Sequence, residues 1–91
     1  MTLYEFIKLV PDHWPHPDES YSVDYHDDDY ALRWIKGEEY IAITILCSGN
    51  LEWHAFIDSK EIQGKTTDIP KEIPKDVFDI FTKLGFDKEL N

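Results

Sequence analysis

Residues 30–57 read YALRWIKGEEYIAITILCSGNLEWHAFI, and three strands and two turns are legible in them. Apolar and polar residues alternate with a period of two, the side-chain period of a strand with one buried face. Tyr30, Leu32 and Trp34 share one face of the first strand. A two-residue Gly37-Glu38 turn then sets Trp34 opposite Ile41 and Leu32 opposite Ile43, which keeps the large apolar residues together.

The second turn discriminates between registers, because a one-residue change in loop length moves every following side chain to the other face. A two-residue Gly49-Asn50 turn would set Ile45 against His54 and Cys47 against Glu52, mixing apolar with polar. A three-residue Ser48-Gly49-Asn50 loop sets Cys47 against Leu51, Ile45 against Trp53, Ile43 against Ala55 and Ile41 against Ile57. That face is unbroken, so the three-residue loop is expected, with Cys47 as a small buried hydrophobe.

Towards the N-terminus, Tyr21, Val23 and Tyr25 alternate in the same way. A two-residue Asp27-Asp28 turn would place Tyr25 opposite Tyr30, Val23 opposite Leu32 and Tyr21 opposite Trp34. The preceding stretch PDHWPHPDES, residues 11–20, carries Pro11, Pro15 and Pro17 and reads as an extended surface loop with Trp14 pinning it to the body. Thr2 and Glu5 form a capping-box pattern, and Leu3, Phe6, Ile7 and Val10 recur at helical spacing, so a short helix near 2–9 is expected to end at Pro11.

Towards the C-terminus, Ile62 to Thr66 could add a short edge strand, an assignment that Gly64 weakens. A linker from Ile69 to Ile73 follows. Pro74 then suits a first helical position, Val77, Phe78, Ile80, Phe81 and Leu84 form an apolar stripe, and Gly85 suits a left-handed cap with Phe86 packing back. The expected fold is a single α+β domain over residues 1–91. In it a four-stranded antiparallel β-meander packs against a C-terminal helix, with a short N-terminal helix, in the order α-β-β-β-β-α.

Composition narrows the function classes. A chain of 91 residues, 42% hydrophobic and 14% aromatic, has enough apolar surface for one core and no room for a second. The longest apolar run, Ile41 to Cys47, is far shorter than the roughly 18–20 residues of a membrane-spanning helix. The opening MTLYEFIKLV lacks the pattern of a secretory leader, and the single cysteine, Cys47, excludes an internal disulfide, so a cytoplasmic location is expected.

The formal net charge is −10, and its distribution is uneven. Between Lys8 and Arg33 stand Asp12, Asp18, Glu19, Asp24, Asp27, Asp28 and Asp29 with no Lys or Arg, whereas from Lys60 to Asn91 six Lys nearly balance seven acids. Such a field repels phosphate backbones and anionic lipid and favours cationic surfaces, so direct binding to nucleic acid or membrane is not expected and a basic protein partner is.

His13 and His16, with Asp12 and Asp18, offer nitrogen and oxygen ligands in one loop, and His26 adds another beside Asp27 to Asp29. A metal needs three or four ligands converging at about 2 Å, and no recognisable ligand spacing is present, so neither metal nor cofactor is expected. No nucleophile-elbow context surrounds Ser20, Ser22, Ser48 or Ser59, and so small a domain leaves little volume for a pocket. An enzyme is therefore not expected.

The sheet face opposite the core would carry Arg33, Ile35, Tyr40, Ala42, Thr44, Leu46, Glu52, His54 and Phe56, too apolar for free solvent. Either the first helix crosses it, burying Leu3, Phe6 and Ile7, or it is a binding or dimerisation surface with Tyr40 and Phe56 as anchors. In size and charge the chain resembles the compact acidic inhibitors of phages and mobile elements that occupy the basic nucleic-acid groove of a host protein. That likeness implies a non-enzymatic protein-binding module in which Asp24, Asp27, Asp28, Asp29 and Glu52 stand in for phosphates. The competing expectations are a small metal- or ligand-binding domain using the His13 and His16 loop, and a homodimer or larger homo-oligomer built through the mixed face.

Overall fold

A computed structural model of the chain describes residues 1–23 and 26–86, and for residues 26–28 the backbone alone. Thr2 starts the first helix, α1 (Leu3–Leu9). Its hydroxyl accepts from the Glu5 N–H at 3.1 Å, and its own N–H donates to Glu5 Oε1 at 3.2 Å, closing the capping box. The Thr2 backbone N–H, and after it the Thr2 hydroxyl, hold the Glu5 carboxyl below its ordinary pKa. A carboxylate stabilised in this way supports the helix above its unfolded pKa, and that support fades as pH falls through the lowered folded value. Val10 is extended and Pro11 follows, which ends the helix.

Five antiparallel strands come next in sequential order: β1 (Glu19–Val23), β2 (His26–Lys36), β3 (Glu39–Ile45), β4 (Leu51–Ile57) and β5 (Lys60–Lys65). The fold class is α+β as expected, with one more strand than the meander read from the sequence. Between β2 and β3, Trp34 faces Ile41 and Leu32 faces Ile43 across a tight turn in which Gly37 has a φ of 63°. This register is the expected one.

The β3-β4 register keeps the expected faces but is displaced by two residues. Ile45 pairs with Leu51 rather than Trp53, Ile43 with Trp53, and Ile41 with Ala55. The connection is therefore five residues, Leu46 to Asn50, closed by Leu46 N–H to Asn50 carbonyl and Gly49 N–H to Leu46 carbonyl, both 2.9 Å. The longer loop arises because the Asp29 carboxylate accepts the Cys47 N–H at 2.7 Å and takes Cys47 out of the ladder. Cys47 is consequently exposed, not buried.

The first hairpin departs further. Tyr21 pairs with Ala31 and Ser20 with Leu32, a three-residue displacement from the expected partners Trp34 and Leu32 of Tyr21 and Val23. An odd displacement exchanges faces. Tyr21 therefore points away from the core and is exposed, while the expected Tyr25 pairing lies outside the described residues. Asp18 sets this register from the preceding loop. Its N–H donates to the Arg33 carbonyl at 2.8 Å and its Oδ2 accepts the Ile35 N–H at 2.7 Å.

β5 is formed in full. Asp58 and Ser59 both adopt positive φ, 54° and 63°, the pattern of a two-residue hairpin turn, and the Asp58 N–H is held by Glu39 Oε2 at 2.9 Å. Gly64 is the close approach that makes β5 possible, since a Cβ there would lie 2.4 Å from the Trp53 indole.

The second helix, α2 (Lys75–Leu84), begins after Pro74, which is the cap rather than the first helical residue. Gly85 ends it at φ 81°, the Phe86 N–H returns to the Phe81 carbonyl at 2.9 Å, and Lys36 Nζ caps the Leu84 carbonyl at 2.7 Å.

Both helices cover the same face. Phe6 from α1 and Val77, Ile80, Phe81 and Leu84 from α2 join Leu32, Trp34, Ile41, Ile43, Ile45, Leu51, Trp53, Ala55 and Ile57 in one buried cluster. The proline-rich stretch is drawn in with them. Trp14 stacks on Phe81 with ring centroids 3.7 Å apart and planes within 5°, and Trp34 Nε1 donates to the Pro15 carbonyl at 2.8 Å. The expected anchoring role of Trp14 is thus realised. The alternative in which α1 crosses the opposite face is overturned, because Phe6 is wholly buried in this core while Ile7 is 56% exposed.

The fit of the Trp53 ring on Gly64 predicts a strong pairwise coupling. Gly64→Ala should cost about 1–3 kcal/mol in chemical denaturation, and under about 0.5 kcal/mol when Trp53 is already Ala. Equal costs in both backgrounds would show that the ring does not rest on Gly64.

Candidate functional site

With both helices on one side, the strand registers lay out the other side as three crosswise rows. Ile35, Tyr40, Phe56 and Glu61 form the first, Glu19, Arg33, Ala42, His54 and Gln63 the second, and Tyr21, Ala31, Thr44, Glu52 and Lys65 the third. Ile35, Tyr40, Ala42, Thr44, His54 and Phe56 are half-buried by their neighbours, and among the described residues no helix lies over them. An uncovered sheet face this rich in apolar side chains is unusual for a monomer.

Its centre is organised by aromatic and charged contacts. The Tyr40 hydroxyl lies 3.3 Å from His54 Nδ1, and the two rings meet edge to face at 5.7 Å. The Arg33 guanidinium sits 4.7 Å above the Tyr40 ring, while one of its terminal nitrogens is 3.9 Å from Glu19. Arg33 Nε and His54 Nε2 are shielded and have no hydrogen-bond partner among the described residues.

The structure distributes the candidate residues unevenly. Tyr40 and Phe56 are brought together as a directly facing pair, and Glu52 lies on the same face, exposed, further along β4. Asp29 is turned inward. It is 7% exposed, and its carboxylate is engaged by the Cys47 N–H, so it acts within the fold. Asp27 and Asp28 lie in β2, where only the backbone is described, and Asp24 lies outside the described residues.

His13 and His16 are exposed on the proline-rich stretch. Among the described residues no group of three or more His, Cys, Asp or Glu side chains is placed to hold a metal ion. Among the described residues no helix is long and apolar enough to cross a membrane.

Sequence reasoning missed one feature of the covered side. A half-open cleft of about 400 Å³ lies between α1, the proline-rich stretch and β1-β2, with Ile7, Val10, Pro15, Leu32 and Trp34 among its walls and Asp12, His16 and Ser20 as its polar residues. No pattern within residues 11–20 marks the cleft, because its walls come from α1, the proline-rich stretch and β1-β2 together. Comparison with protein-family models, with curated proteins and with solved structures found no match.

The placement of Asp29 separates it from the surface acids in a measurable way. Asp29→Ala should lower stability by about 1.5–3 kcal/mol, because it strands the Cys47 N–H, whereas Glu52→Ala should stay within about 0.5 kcal/mol. Denaturant titrations of the two variants check this, and equal small losses would put Asp29 on the surface.

Proposed function

We propose that this chain is a non-enzymatic protein-binding module that engages a basic protein surface, acting as an inhibitor that occupies the nucleic-acid-binding site of its partner. The observation that carries the reading is the uncovered sheet face with Tyr40 facing Phe56 at one end and Glu19, Glu52 and Glu61 exposed around it. Aromatic pairs of this kind supply most of the affinity in protein interfaces, while surrounding acids steer a cationic partner and discriminate against anionic ones. The net charge of −10 acts in the same direction and opposes close packing of a second copy of the chain. Asp24, Asp27 and Asp28 extend the acidic field along the segment that has no Lys or Arg, and in this reading they substitute for phosphates.

Affinity capture with wild-type and Phe56→Asp chains as paired baits tests the proposal. The expected result is a basic nucleic-acid-binding protein held by the wild type, absent from the variant and displaced by added DNA, with both baits melting at similar temperatures. Asp27→Asn combined with Asp28→Asn should slow association severalfold, and raising the salt should shrink the difference as the Debye length falls below about 8 Å. A captured protein unaffected by Phe56→Asp would remove the sheet face from the interface. A chain that sediments as a dimer, with Phe56→Asp restoring the monomer, would assign the face to self-association.

A further inference from the structure

The cleft on the covered side of the sheet is separate from the open face, and the protein-binding reading does not use it. We propose that it is a binding site for a small amphiphilic cation, an aromatic or branched apolar body carrying one amine. Its volume of about 400 Å³ falls within the roughly 300–1,000 Å³ of small-molecule sites, and its walls have their usual character, mostly apolar with a few polar groups.

The cleft is pre-formed. Trp34, part of its lining, is held by the hydrogen bond from its indole N–H to Pro15, and Trp14, at its side, is stacked on Phe81. A site fixed in this way loses little freedom when a ligand enters.

Charge selects the ligand. The lining contains the carboxylate of Asp12 and no Lys or Arg. Asp12 is exposed in that lining, so its carboxylate attracts a cation and repels an anion there. An anion of the same shape meets the opposite field, and a second copy of this chain brings further negative charge. A free amine with an apolar body satisfies both the walls and the rim.

The three tryptophans provide the test, because Trp14 and Trp34 line the cleft while Trp53 lies over Gly64 outside it. Tryptamine, neutral indole and indole-3-acetate are titrated into the full chain while the indole N–H signals are followed by ¹H–¹⁵N NMR. The expected result is a saturable shift at Trp14 and Trp34 with Trp53 unmoved, and tryptamine binding about fivefold or more tightly than indole-3-acetate. Asp12→Asn should bring the two ligands within about twofold, and Ile7→Arg, at an exposed position of the lining, should abolish both shifts. Should Ile7→Arg lower the melting temperature, Ser20→Arg, also exposed and lining the cleft, takes its place. Absence of saturable shifts at Trp14 and Trp34, equal shifts at Trp53, or a charge preference untouched by Asp12→Asn would overturn the proposal.

Discussion

The Trp14 ring lying flat on Phe81 decides which side of the sheet is covered. An aromatic pair adds only about 0.5–1.5 kcal/mol beyond the area it buries, so its importance here is geometric. From Trp14 back to the end of α1 at Leu9 is five residues, a leash of at most about 18 Å. To reach the opposite face, α1 would have to travel around the edge strand and across two layer spacings of about 10 Å each. The leash is too short, so α1 docks beside α2 and Phe6 enters the same core.

Everything distinctive about the molecule follows from that one-sided cover. The covered face holds large aliphatic and aromatic residues sealed by two helices and a proline-rich strap, with a cleft where the strap stands off the sheet. The open face keeps Tyr40, His54 and Arg33 in mutual contact and presents Phe56 and Ile35 beside them, with its largest apolar side chains gathered at one end. The chain as a whole carries a formal net charge of −10. In the readings proposed above, the open face takes a basic protein and the cleft a small amine.

What could be read from the sequence was what local chemistry determines. The β2-β3 hairpin was legible because Gly37-Glu38 is a two-residue turn whose glycine adopts the positive φ required, and α2 because its apolar stripe and Gly85 cap lie within one segment. Contacts between distant residues displaced the rest. Asp29 reaches the Cys47 N–H and lengthens the β3-β4 loop, so alternation gave the correct faces there and the wrong partners. Asp18 bonds to Arg33 and Ile35 and shifts β1 by an odd number, so Tyr21 emerged on the open face. Gly64 reads as a defect in β5 from the sequence, because the Trp53 ring that rests on it comes from the neighbouring strand. Of the candidate interface, Tyr40, Phe56 and Glu52 were correctly assigned to one face, while the inward turn of Asp29 was invisible because its partner is a backbone group eighteen residues away.

The central claim, that one sheet face is open and the other sealed, is tested most directly by methyl NMR with a soluble paramagnetic probe in dilute solution. Isoleucine and threonine methyls sample both faces of β2 and β3, with Ile35 and Thr44 on the open side and Ile41, Ile43 and Ile45 on the sealed side. The expected result is strong relaxation enhancement at Ile35 and Thr44 and almost none at the other three, unchanged on further dilution. Protection of Ile35 and Thr44 equal to that of Ile41 and Ile43 would contradict it, showing that a helix or a second copy of the chain covers the face.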